Sequence, residues 1–281
     1  MAYTYDDILD QLAPLLAETE AVAGAAAIGS RASSTADSSS DLDVLVFAQD
    51  PEALLADTRW LSPLGRIWAA TVDRSLPELP VRRILLDDAV QLDLLIVPVD
   101  AAQALGAPAR RVLEDMARRG FAPVKAGGPV PDGLAELAAG DPGNGRPSQD
   151  EFAELVSRFW IDVVRSARRL TRGEVWGALR IIDGPLKDAM VQMQAWIVKA
   201  VKGADVDTYW SGRHLGRWAG DRFHRDLAAA SAGFDGAEAQ RALIETMDQF
   251  RLQAIQAAQR WSLDYPEALD RRATVWVRTR Q

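Results

Sequence analysis

Cysteine is absent from the 281-residue chain, and histidine occurs only twice, as His214 and His224. The first absence excludes disulfides, thiolate metal sites and cysteine nucleophiles, and it fits a reducing cytoplasm. The second leaves too few imidazoles for a zinc site or a hydrolase triad. No apolar run approaches the roughly 20 residues needed to span a bilayer. The first residues, Met1-Ala2-Tyr3-Thr4-Tyr5-Asp6-Asp7, lack a basic region followed by an apolar one, so they do not read as a signal peptide. The expectation is a cytoplasmic chain with no membrane partner. Basic residues are outnumbered, 32 against 40 acidic ones, for a formal net charge of −8. Nucleic-acid binders usually carry a basic face that displaces counterions, so a nucleic-acid partner is not expected. A polycationic small molecule is compatible with that charge, as is simple solubility. Hydrophobic residues make up 48% of the chain, enough for sizeable cores in one large or two modest domains.

What the chain does have is a concentrated motif. Ile28-Gly29-Ser30-Arg31 is followed, after a serine-rich loop, by Asp41-Leu42-Asp43-Val44-Leu45-Val46. Residues alternate faces along a strand, so Asp41 and Asp43 share one face while Leu42 and Val44 enter the core. Two carboxylates that close call for a cation, and hard oxygen ligands suit magnesium better than zinc. Gly29 lets backbone approach a phosphate, and Ser30 offers a hydroxyl and an N–H to phosphate oxygens. A third acid is then expected on a neighbouring strand. Arg82–Leu86 and Gln91–Val97 read as two strands around a turn at Asp87–Val90, with Asp93 alone among apolar residues. A charge there is costly unless it is paired or metal-bound.

In this order the elements resemble the nucleotidyltransferase superfamily, and within it the aminoglycoside 6-adenylyltransferases, or streptomycin adenylyltransferases. Trp60-Leu61-Ser62-Pro63-Leu64-Gly65 is similar to a Trp-Leu and Phe-Gly of that family. Asp87 to Leu94 is similar to its "DGxRIDL" segment, without the glycine. Glu151-Phe152 and Phe159-Trp160 look like its "EFW" helix, and Trp196 falls in its helical "LxW" pattern. Tyr209 to Trp218 is similar to "GKxxKxL", and Asp264-Tyr265-Pro266 resembles its closing "YP". The two lysines of "GKxxK" correspond to Arg213 and Arg217, which keep the charge but bind phosphate as a fork, so triphosphate contacts could be rearranged.

The resemblance implies an α+β fold: a nucleotidyltransferase mixed sheet flanked by helices (residues 1–135), then a helical bundle that binds substrate and nucleotide (136–281), with the site in the cleft between. It implies transfer of AMP from ATP, with Mg2+, to an aminoglycoside hydroxyl. Asp41, Asp43 and Asp93 would be catalytic and metal-binding, Asp93 as base or as ligand. Gly29, Ser30, Arg31, Arg213 and Arg217 would bind the nucleotide, whose base stays open. Two alternatives remain: an enzyme of the same fold acting on another small molecule or a protein hydroxyl, and a relative that has lost its chemistry. Protein-modifying members are shorter and lack a tryptophan-rich helical half, and all three acids are present here.

The rest of the pattern sets the frame. Ile8, Leu9, Leu12, Leu15 and Leu16 recur at helical spacing after Thr4, and a helix from Pro108 carries Val112, Leu113 and Met116. Residues 126–147 are rich in glycine and proline and hold the expected domain boundary. Ser148 stands three residues before Glu151, the spacing of a capping box, and the chain reads as helical from there on. One apolar stripe runs from Phe152 to Val164 and a second from Trp176 to Ile197, the latter interrupted at Gly184-Pro185. Leu243, Met247, Phe250 and Ile255 mark a later helix.

Overall fold

The computed structural model describes residues 5–29, 32, 40–76, 78–100, 105–124, 145–208 and 212–280. The chain forms two compact units, Met1–Asp141 and Pro142–Gln281. The boundary expected at 135/136 lies outside the described residues, as do Thr4, Ser30, Arg31 and most of the serine-rich loop.

The first unit is built on a mixed sheet of six strands. These are β1 (Val22–Ile28), β2 (Leu42–Ala48), β3 (Ile67–Asp73), β4 (Val81–Leu86), β5 (Gln91–Pro98) and β6 (Phe121–Pro123), in the order β3-β4-β5-β2-β1-β6. Only β2 and β5 pair in parallel; the other neighbours are antiparallel. The α+β architecture inferred from the sequence is therefore the one observed. The central strands are buried on both faces, which explains their nearly continuous apolar runs. On one face, Val44, Val46, Leu92, Leu94 and Ile96 pack with Ile8, Leu12 and Leu16 of α1 (Tyr5–Glu18). On the other, Leu45, Phe47, Leu95 and Val97 meet Ala109, Leu113 and Ala117 of α3 (Ala107–Arg118). A short helix, α2 (Pro51–Ala56), is capped by Asp50, whose side chain accepts from the Ala53 N–H. Strand β3, which the sequence reading passed over, is an exposed edge that pairs with β4.

The second unit is helical: α4 (Gln149–Leu170), α5 (Val175–Ile181), α6 (Lys187–Lys202), α7 (Leu215–Trp218), α8 (Asp221–Ala229), α9 (Gly236–Trp261) and α10 (Glu267–Arg278). The expected capping box opens α4. The Ser148 hydroxyl accepts from the Glu151 N–H at 3.1 Å, and the Glu151 carboxylate accepts from the Ser148 N–H at 2.9 Å. Such a cap is worth about 1 kcal/mol. At Ile182–Leu186 the helix widens into a single π turn containing Pro185. Proline lacks the N–H for the regular ladder and crowds the carbonyl four residues back, and the wider turn accommodates both. The core of this unit gathers Phe152, Phe159, Trp160, Met190, Met193, Met247 and Phe250. Trp176 and Ile255, expected on apolar stripes, lie instead at the surface, 64% and 36% exposed. No helix among the described residues is long and apolar enough to cross a membrane.

Candidate active site

Strand register decides which side chains meet. In the parallel β2–β5 pair Asp43 lies beside Asp93, and in the antiparallel β1–β2 pair Ile28 lies opposite Asp43. Asp41 precedes β2 by one residue and shares the parity of Asp43. The three carboxylates converge, each offering an oxygen within 4.8 Å of the other two. Asp93 is buried, at 4% exposure, whereas Asp41 and Asp43 are half-buried. All three donors are carboxylate oxygens, a set that fits a hard cation such as Mg2+ and suits zinc poorly.

Gly29 closes one side of this cluster. Its φ is +72°, where residues with a Cβ are strained, and a Cβ built on it would stand 2.7 Å from Asp43 Oδ2. Glycine is thus required here twice over, by its backbone and by the acid next to it. Ser30 and Arg31, which continue this turn in sequence, are outside the described residues.

Two further residues that sequence reasoning left out of the site complete it. Arg83 on β4 lies opposite Asp93 in the β4–β5 register and donates from Nη1 to Asp93 Oδ2 at 2.8 Å. Gln91 donates from Nε2 to the other oxygen of Asp93 at 3.2 Å. Burial pushes the Asp93 carboxyl above the usual carboxylate range, and the neighbouring Arg83 opposes that shift. The second Arg83 nitrogen, Nη2, reaches Asp73 on β3 at 3.2 Å. Asp73 also accepts from the hydroxyl and the N–H of Ser75, which together with Arg83 hold its carboxyl below the usual range. Arg82 turns to the opposite face, as alternation requires, and donates to the Leu55 carbonyl. In the sequence Arg83 is one of two adjacent arginines on the strand before Asp93, and only the cross-strand register tells which of them faces the acid.

The remaining expected residues belong to the second unit. Arg213 and Arg217 are exposed and flank His214, which is in the left-handed region at φ 53°. The Arg213 carbonyl accepts from Trp218 Nε1 at 3.1 Å, tying this turn to the short α7.

Comparison with known proteins gives the site a context. Among solved structures the chain is similar to an aminoglycoside 6-adenyltransferase from Bacillus subtilis, at 16% identity, 99% coverage of this chain, 98% of that one and a TM-score of 0.45. It is also similar to a nucleotidyltransferase-like protein from Exiguobacterium sibiricum 255-15, at 12% identity, 90% and 78% coverage and a TM-score of 0.38. No curated protein sequence matches it. The sequence pattern of the family described as streptomycin adenylyltransferase matches residues 132–279, more than half of the chain. The chain accordingly belongs to the streptomycin adenylyltransferase family.

Proposed function

We propose that the protein transfers AMP from ATP to a hydroxyl of a streptomycin-like aminoglycoside, releasing pyrophosphate. The observation that carries this reading is the convergence of Asp41, Asp43 and Asp93 within 4.8 Å of one another beside a glycine that admits no side chain. It lies in residues 29–93, outside the stretch that matches the family, so two independent parts of the chain support one reading.

In this reading Asp41, Asp43 and Asp93 hold Mg2+, which when bound neutralises charge on the triphosphate. Gly29, Ser30 and Arg31 hold the nucleotide phosphates through backbone and side-chain donors, and Arg213 and Arg217 add guanidinium forks. Asp93, with two oxygens, serves as a ligand with one and takes the proton of the attacking hydroxyl with the other. The acceptor oxygen bonds to the α-phosphorus, the bond from that phosphorus to the bridging oxygen breaks, and pyrophosphate leaves. The acceptor's positive charge is attracted to an acidic chain, and this steering weakens as salt rises.

The test is pyrophosphate release from Mg-ATP with streptomycin, spectinomycin, kanamycin and lincomycin, for the parent chain, Asp41→Asn and Asp93→Asn. The expected result is release with streptomycin, reduced at least about 100-fold in both variants. ATP binding with silence across the panel would discard the aminoglycoside and point to another hydroxyl-bearing acceptor. Absence of magnesium-dependent stabilisation by ATP would discard the enzyme.

A further inference from the structure

We infer that Arg83 is a positioning residue: its guanidinium, braced on Asp73, fixes the Asp93 carboxylate in the orientation that faces Asp41 and Asp43. The inference rests on the functional reading above and adds to it a residue that the motif does not contain.

The argument starts from the row of side chains that strand register sets on one face of the sheet. Asp43 on β2, Asp93 on β5, Arg83 on β4 and Thr71 on β3 are successive cross-strand neighbours. Asp73, two residues along β3 from Thr71 and paired with Val81, joins this row diagonally through hydrogen bonds. Ser75 donates to Asp73 at 2.6 Å, Arg83 bridges Asp73 and Asp93 with its two terminal nitrogens, and Asp93 sits within reach of the two other acids. The Asp93 side chain is 6% exposed and that of Arg83 44%, so a half-exposed cation serves a buried acid.

A carboxylate rotates about its last torsion between broad, nearly equivalent states. In a site where three acids crowd together, mutual repulsion favours turning one of them away. Arg83 on Oδ2 and Gln91 on Oδ1 make the two oxygens of Asp93 distinct and hold the group where it is. The split fork matters because one guanidinium spans two carboxylates in fixed geometry, and an ammonium acts only as a point charge. Partners that orient a metal-binding carboxylate commonly affect activity about 10–100-fold when removed. Arg83 differs from a neutral orienting partner in that its charge also competes with a bound cation.

These properties give a signature that a purely structural ion pair lacks. Arg83→Ala, Arg83→Lys and Asp73→Asn are compared with the parent by thermal melting, by kcat and KM for ATP in pyrophosphate release, and by electron paramagnetic resonance of Mn2+ binding without nucleotide. Arg83→Ala is expected to lower kcat about 10–100-fold, with KM for ATP within about twofold of the parent. Its Mn2+ affinity should rise about threefold, because a positive charge beside the three acids is gone. Arg83→Lys should keep the parental Mn2+ affinity and recover part of the lost kcat, and Asp73→Asn should lose about threefold in kcat by unbracing the fork. Parental kcat in Arg83→Ala, or kcat and Mn2+ affinity falling together with the folded fraction, would overturn the assignment alone. A parent chain that neither binds Mn2+ nor releases pyrophosphate would overturn the functional reading, and this assignment with it.

Discussion

Gly29 shows how a residue without a side chain can set the geometry of a charged site. Its positive φ turns the chain out of β1, and the space its missing Cβ leaves is where Asp43 Oδ2 sits. Gly29→Ala should therefore cost about 1–2 kcal/mol of stability for the left-handed backbone. It should also lower pyrophosphate release at least about tenfold by displacing the Asp43 carboxylate. A melt in urea separates the two effects, and full activity in a merely destabilised variant would show that Asp43 tolerates the shift. At this scale the sequence was legible where a residue was out of place by itself. Asp93 stood out because an unpaired charge in an apolar strand is costly, and Asp41 and Asp43 because their spacing puts them on one face. Arg83 did not stand out, because an arginine on a strand is ordinary. Its meaning comes from a cross-strand register that no local pattern states. Gly29 was read for its closeness to phosphate, whereas its contact with Asp43 required knowing that β1 and β2 pair. The turn after β4 is a third case, since Asp88 and Ala89 both adopt φ 58°, a left-handed conformation that alanine seldom takes.

Among elements, the helices of the second unit were the most legible, because capping and apolar periodicity are local. Ser148 and Glu151 form the box their spacing announced, and Gly184-Pro185 falls in the π turn that widens the helix. Trp176 misled for a physical reason: it is the second residue of α5, shortly after the Gly173 turn, where one side of the first turn faces solvent. What no periodicity reveals is how helix ends are held by charges from other helices. The end of α8 is an example. Carbonyls of Ala229 and Ser231 accept from Arg241 of α9, and that of Ala230 accepts from Lys187 of α6, which also donates to Thr246. Burial lowers the Lys187 ammonium from the ordinary lysine value to about 8, with nearby Asp183 opposing. Below pH 8 the ammonium is charged folded and unfolded alike, and the folded state carries the desolvation cost. Between about 8 and 10.5 the unfolded chain binds the proton that the folded one has released, so this group's contribution to stability rises with pH. Urea unfolding of the parent and Lys187→Met across that range should show the parent gaining about 1–2 kcal/mol relative to the variant by pH ~9.5. A constant difference would mean that Lys187 keeps an ordinary proton affinity.

At the scale of the whole molecule the chain carries separate cores. One face of the sheet packs on α1, the other on α3, and the helical unit buries its own cluster of residues drawn only from Phe152 to Val277. The acids lie in the first unit and the family match covers mostly the second, so the sequence spoke to function through two segments for different reasons. The acid motif is short and physically constrained, and the helical half is recognised by a distributed pattern. The helical core also includes a polar network that closes on itself. Arg251 forks onto Asp270 at 2.7 Å through Nε and Nη2 and reaches Asp248 at 2.8 Å, while the Tyr265 hydroxyl donates to Asp270 at 3.0 Å. Burial alone would raise the Asp270 carboxyl, but these hydrogen bonds outweigh it and hold it below its ordinary value. All of these partners lie within the second unit, so this network, like the apolar cluster, is made of that unit's own residues. A fragment of residues 142–281 should then give a helical circular dichroism spectrum and a single cooperative urea transition at neutral pH. Its stability should fall as pH drops through the depressed Asp270 value below 3.8, since the unfolded chain takes up that proton first. A fragment with helical signal but no cooperative transition would mean that this core is specified only in the intact chain.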